Sequence, residues 1–189
     1  KTLLVVAGAG GVGSILIQLA RQLTSLTIIA TASRPETQRW VKDMGAHHVI
    51  DHSNPVDEEM EKAGLGPVDY VASLSHTDQH FEACVNALRP QGRFALIDDP
   101  GVLDISLMKK KSLSLHWEFM YTRPLFNTED IQTQHDILNQ VAKLADNGTI
   151  RTTLQQRLGK LSPETLYEAH RILESGKAIG KLVMTGLHD

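Results

Sequence analysis

The sequence has one cysteine, few aromatic residues at 5%, and no excess of positive charge. Each shortage excludes a class of protein. A lone Cys84 closes no internal disulfide and builds no paired-cysteine metal knuckle, which fits a reducing compartment such as the cytoplasm. A formal net charge of -3 offers no basic field to a nucleic-acid backbone. No apolar run approaches the roughly 20 residues that a membrane span needs. The H-E-x-x-H zinc pattern is missing, because Thr77-Asp78-Gln79 stands between His76 and His80. Ser73-Leu74-Ser75 lacks the glycines of a nucleophile elbow. An initiator methionine is missing too: Lys1 runs straight into Leu3-Leu4-Val5-Val6-Ala7. A chain that opens inside a buried strand is expected to be part of something longer, with part of the active site outside it.

What is present is ordinary globular material, 41% hydrophobic and 22% charged over 189 residues, enough for one domain and an appendage. Apolar runs alternate with amphipathic stretches. Thr2 to Ala7 reads as a doubly buried strand, and a helix follows with Val12, Ile15, Leu16, Leu19, Ala20 and Leu23 on one stripe. Leu26 to Ala32 is a second strand. Ser33 and Glu36 then suit a capping box for the next helix. His48 to Asp51 is a short strand, Val56 to Ala63 a polar helix, and Val68 to Ser73 a strand. The helix after it has its stripe at Phe81, Cys84, Val85 and Leu88, which makes Cys84 a core residue. Pro90 and Gly92 stop that helix before the strand Arg93 to Ile97. This alternation predicts an α/β fold, a parallel doubly wound sheet of Rossmann type with helices on both faces.

After Gly101 the texture changes. The pattern predicts an edge strand over Ser112 to Glu118 and a long helix from Asn127 to Asn147. It goes on to a strand over Thr152 to Leu158, a helix from Pro163 to Ser175 capped by Ser162, and a strand from Lys181 to Thr185. Lys109-Lys110-Lys111 reads as a solvated run that guards the edge.

The sharpest local signal is Gly8-Ala9-Gly10-Gly11-Val12-Gly13 between the first strand and the first helix. It fits G-x-G-x-x-G. Gly8 allows the tight turn, Gly10 lets a pyrophosphate approach the backbone, and Gly13 lets the helix pack on the strand. The phosphates would meet the helix N-terminus with its free N–H groups. A methyltransferase, or an enzyme specific for NAD, would want a carboxylate at the end of the second strand for the ribose hydroxyls. Thr31-Ala32-Ser33-Arg34 stands there instead. With no carboxylate to repel a 2′-phosphate, and with Ser33 and Arg34 to bind it, NADP(H) is the expected cofactor.

The residues resemble one family in several places. Ala7 to Ala20 is similar to the glycine loop and first helix of zinc-type alcohol dehydrogenase-like proteins and quinone oxidoreductases of the medium-chain dehydrogenase/reductase superfamily. Gly45-Ala46-His47-His48-Val49-Ile50-Asp51 resembles that family's third-strand signature, Tyr121-Thr122-Arg123-Pro124 a stretch common in its quinone reductases, and Gly176-Lys177 with Gly180-Lys181-Leu182-Val183 its usual close. The resemblance implies a dinucleotide-binding domain over residues 1–150. It also implies that residues 151–189 belong to a catalytic domain whose GroES-like N-terminal part, with any zinc ligands, would precede Lys1. By the same resemblance Gly11 and Val12 would hold the pyrophosphate, and Ser33 and Arg34 the adenosine phosphate. His52 stands where quinone reductases often carry a tyrosine beside the adenosine. Ser75, flanked by Leu74 and His76, and Asp98 would lie on the nicotinamide side, with Phe119 and Met120 at its border. Two copies would pair through Ser112 to Glu118.

The activity implied is hydride transfer from NADPH to a quinone, enone or carbonyl compound. No residue of the chain presents itself as a proton donor, so no catalytic residue is named. The competing expectation is a non-catalytic dinucleotide-binding module for sensing or assembly.

Overall fold

The computed structural model of the chain describes residues 1–186. Strand β1 (Thr2–Val6) lies at the centre of a sheet, paired in parallel with β2 (Thr27–Thr31) and with β4 (Val68–Ser73). Its side chains alternate between two cores, as the two-residue period of a strand requires. Leu4 and Val6 join Ile29, Phe81, Phe94 and Leu96 on one face. Leu3 and Val5 join Ile17, Ile28, Val41 and Met44 on the other. With β3 (His48–Ile50), β5 (Leu88–Leu96) and β6 (Ser114–Trp117) the sheet has six parallel strands in the order β3-β2-β1-β4-β5-β6. That is the dinucleotide-binding order. Its direction reverses between β1 and β4 and leaves a crevice at the carboxyl ends of those strands.

Helices α1 (Gly11–Leu23) and α2 (Pro35–Asp43) cover one face through Ile17, Ala20 and Val41. Helices α3 (Val56–Lys62) and α4 (Thr77–Ala87) cover the other through Val56, Met60, Phe81, Cys84 and Val85. Burial beside Asp57 pushes the Cys84 thiol up to about 12, so it packs as an apolar group and offers no thiolate. Beyond β6 come α5 (Thr122–Phe126), α6 (Gln132–Asp146), β7 (Leu154–Lys160), α7 (Pro163–Glu174) and β8 (Lys181–Thr185). β7 and β8 form a separate two-stranded parallel sheet. Among the described residues no helix is long and apolar enough to cross a membrane.

Four local expectations are corrected. Ser33 does not cap α2. Arg34 takes the cap position, and Thr37 rather than Glu36 closes the turn, accepting the Arg34 N–H at 3.1 Å. Asn127 does not open a long helix. In left-handed conformation (φ 46°) it ends α5, and α6 starts only at Gln132. β5 begins at Leu88, which pairs with Val68, and a bulge then carries the register to Arg93 opposite Tyr70. Lys111 is not simply solvated. It ends a 3-10 helix (Ile105–Lys111), and its ammonium donates to the Val85, Asn86 and Leu88 carbonyls at 3.0, 2.7 and 2.7 Å, closing the C-terminal end of α4.

Candidate functional site

The glycine loop turns sharply out of β1. Ala7 adopts φ 59°, its N–H is held by Thr31 Oγ1 at 3.0 Å, and its carbonyl accepts from Gly10 N–H at 3.1 Å. Gly8 N–H donates to the Thr31 carbonyl at 3.3 Å, fixing the loop to the end of β2. A Cβ on Gly13 would stand 2.6 Å from the Gly8 carbonyl oxygen and 2.7 Å from that of Ala7. Helix α1 therefore enters the loop as closely as only glycine permits, as expected for the third glycine of the motif. The first-turn N–H groups of Gly11, Val12 and Gly13 have no carbonyl one turn earlier within the helix, and no acidic residue occupies that turn. This end of α1 is suited to an anion.

At the end of β2, Arg34 is a constrained cation. Its Nε donates to Glu36 at 2.6 Å and its Nη2 to the Lys177 carbonyl at 2.9 Å. Glu36 is held below its ordinary carboxylate range by its own backbone N–H and then by this guanidinium. Freed of the capping role, the Ser33 hydroxyl has no hydrogen-bond partner among the described residues. The guanidinium keeps donors to spare, and Glu36, the acid in the first turn of α2, is already engaged by it.

Past β3, His52 meets His80 of α4 edge to face, ring centres 5.9 Å apart. His52 Nδ1 is buried without a hydrogen-bond partner. Burial, and then His76 and Arg34 against the pull of Asp51, lowers the proton affinity of His52; burial, His52 and His76 do the same for His80. Both rings border a cavity of about 480 Å³ that also presents Asp57, Glu58 and Glu82. Those carboxylates give it a negative field, so it does not draw in a phosphate. The ring faces suit an aromatic group better than an anion.

On the other side of the crevice, Ser75 Oγ and His76 Nδ1 pair at 2.7 Å, and His76 is held at φ 53° ahead of α4. Asp98 is committed. Its carboxylate accepts the Thr77 N–H at 3.0 Å and the Thr77 hydroxyl at 2.5 Å, and that hydroxyl also pairs with Ser73 Oγ at 2.7 Å. Asp98 thus ties the end of β5 to the start of α4, and it frames the crevice rather than reaching into it. Phe119 and Met120 are exposed beyond β6. Three contacts escaped the sequence reading: Thr31 under the loop, Thr77 on Asp98, and the C-terminal segment, whose Gly180 N–H donates to the Ala9 carbonyl at 2.9 Å. Only the unusually polar close of β2 hints at the first. Among the described residues no three His, Cys, Asp or Glu side chains gather into a group that could hold a metal ion.

A six-stranded sheet in this order, with a glycine loop at its switch point, defines a dinucleotide-binding domain. Residues 44–184 match the zinc-binding dehydrogenase family. The chain belongs to that family, within the medium-chain dehydrogenase/reductase superfamily. It is 37% identical to a zinc-type alcohol dehydrogenase-like protein of Staphylococcus epidermidis, over 97% of this chain and 55% of the relative. It is 30% identical to an NAD-dependent alcohol dehydrogenase of Saccharolobus solfataricus, over 97% of this chain and 50% of that protein. A crystal structure from Rhizobium etli, assigned as a zinc-dependent alcohol dehydrogenase, shares 54% identity and superposes with a TM-score of 0.91, over 98% of this chain and 54% of its own. The chain thus spans about half the length of the relatives it matches.

Proposed function

We propose that the chain is the cofactor-binding part of an oxidoreductase that moves hydride from NADPH to a quinone, enone or carbonyl compound. The observation that carries the choice of cofactor is Arg34, held at the end of β2 by Glu36 and the Lys177 carbonyl, where no free carboxylate opposes a 2′-phosphate. In this reading residues 1–150 are the dinucleotide-binding domain, and residues 151–189 belong to a catalytic domain that holds the substrate. The bound nicotinamide supplies the hydride. The chain's own part is to seat the pyrophosphate on the first turn of α1, the adenosine phosphate on Ser33 and Arg34, and the adenine against His52. Two copies pair through Ser112 to Glu118.

The name of the Saccharolobus relative favours a second reading, preference for NADH. Calorimetric titration of the chain with each cofactor separates the two. Tighter binding of NADPH, weakened about tenfold or more in Arg34→Ala while NADH is unaffected, is the expected result, since a charge-assisted contact is worth roughly 1.5–3 kcal/mol. Equal affinities, or an NADPH affinity untouched by the substitution, would reject the phosphate site at Arg34.

A further inference from the structure

Trp40 is half-buried on α2 and has no place in the crevice, yet three distant segments of the chain meet on it. Its ring packs against the core shared by β1, β2 and α1. Its Nε1–H donates to the Ser14 hydroxyl on α1 at 2.8 Å. A Cβ on Gly180 would stand 3.2 Å from its Cζ2, and the Arg151 guanidinium lies 5.9 Å from the ring centre. Arg151 precedes β7 and Gly180 precedes β8, so the indole lies against both ends of the β7–α7 excursion.

The hydrogen bonds on this indole have a fixed direction. An indole N–H only donates, so the Ser14 oxygen accepts from it and the serine's own proton points elsewhere. The Gly10 carbonyl lies in its path at 2.7 Å, with the Ala9 carbonyl further off at 3.3 Å. Ser14 is fully buried, where an unpaired hydroxyl is costly. The Gly10 carbonyl also accepts the Ser14 N–H at 2.9 Å.

The consequence falls on the glycine loop. In a planar trans peptide the carbonyl and the following N–H point in opposite directions. Holding the Gly10 carbonyl therefore aims the Gly11 N–H, the first free donor of α1, outward from the helix end. The neighbouring Ala9 carbonyl is held from the other side by the Gly180 N–H at 2.9 Å, and Gly10 and Gly180 form a β-bridge. Gly180, at φ 56°, sits between the Thr153 carbonyl and the edge of the indole. One side chain thus backs both supports of the turn.

We infer that Trp40 is a positioning residue for the phosphate-binding turn: through Ser14 it fixes the direction of the Gly11 N–H, and its ring edge sets where Gly180 crosses the loop. The inference rests on the dinucleotide reading above and deepens it. Arg34 discriminates between the two nicotinamide cofactors. Trp40 acts on both alike, because both carry a pyrophosphate, and it does so without touching either.

Calorimetry on the chain and on its Trp40→Phe, Ser14→Ala and doubly substituted variants tests this with three probes: NADPH, NADH and adenosine 2′-monophosphate. Phenylalanine keeps an apolar ring beside Arg151 and removes the N–H. Trp40→Phe is expected to weaken NADPH and NADH by similar factors, roughly fivefold, the worth of one hydrogen bond. The monophosphate, which in the reading above sits on Ser33 and Arg34, should bind unchanged. Ser14→Ala is expected to lose at least as much as Trp40→Phe. The double variant should lose less than the product of the two single losses, because both remove one shared bond. A merely structural role predicts all three probes weakened by the same factor, in step with a lowered melting temperature; that result would overturn the positioning role. Losses that multiply in the double variant would overturn the link through Ser14. Unchanged NADPH and NADH affinities in both single variants, with the parent binding both, would reject the inference and leave the glycine-loop site standing. A parent chain that binds none of the three would bring down the dinucleotide reading and this inference with it.

Discussion

At the scale of single residues, the site is built from positions where the backbone comes too close for a side chain. Gly13 is the clearest, with two carbonyl oxygens within 2.7 Å of an added Cβ. Both are backbone atoms at the hinge of the loop, so neither yields easily. Gly13→Ala is therefore expected to destabilise the chain by about 1–3 kcal/mol, the usual cost of overpacking, and to weaken nucleotide binding by spoiling the first turn. Chemical denaturation checks the first effect and calorimetry the second; an alanine variant as stable as the parent would contradict the close approach. This residue was legible from the sequence because its constraint is local. So was the core position of Cys84. The capping box over Ser33 and Glu36 is displaced by one residue at each end, with Arg34 at the cap and Thr37 closing the turn. Asp98 was placed at the right edge of the crevice, but its engagement by Thr77 depends on how two strand ends meet, which no local pattern displays.

At the scale of elements, strands and helices up to β4 follow the hydrophobic period closely because each is buried on both sides or along one stripe. Reading fails where tertiary pairing overrides local preference. Leu88 looks like the last member of a helical stripe, yet pairing with Val68 draws it into β5. Asn127 looks like a helix opener, yet its left-handed conformation closes α5. Strand β6 ends the six-stranded order, and Trp117 on it is exposed. An unpaired edge of this kind invites a second strand. The proposed pairing of two copies predicts a dimer in sedimentation analysis, converted to monomer by Leu115→Pro, because proline removes a ladder donor and disfavours strand pairing. A monomeric parent chain at high concentration would reject it.

At the scale of the whole molecule, the site is an assembly of distant parts. The glycine loop comes from the start of the chain, Arg34 and His52 from the next two strand ends, and the closing segment from residues 176–181. The contact between Arg34 and Lys177 spans 143 residues, and nothing in the local sequence of either announces the other. Gln18 adds a second tie by exchanging hydrogen bonds with the backbone of Arg151 at 3.1 and 2.8 Å, and the Arg151 guanidinium lies 5.9 Å from the centre of the Trp40 ring. The molecule thus brings the parts of one crevice together from both ends of the sequence. Hydrogen–deuterium exchange of the chain with and without NADPH tests this most directly. The account predicts slowed exchange in residues 8–14, 33–36 and 176–181 together, with β6 and α6 unchanged. Protection confined elsewhere, or none in the glycine loop at saturating cofactor, would contradict it.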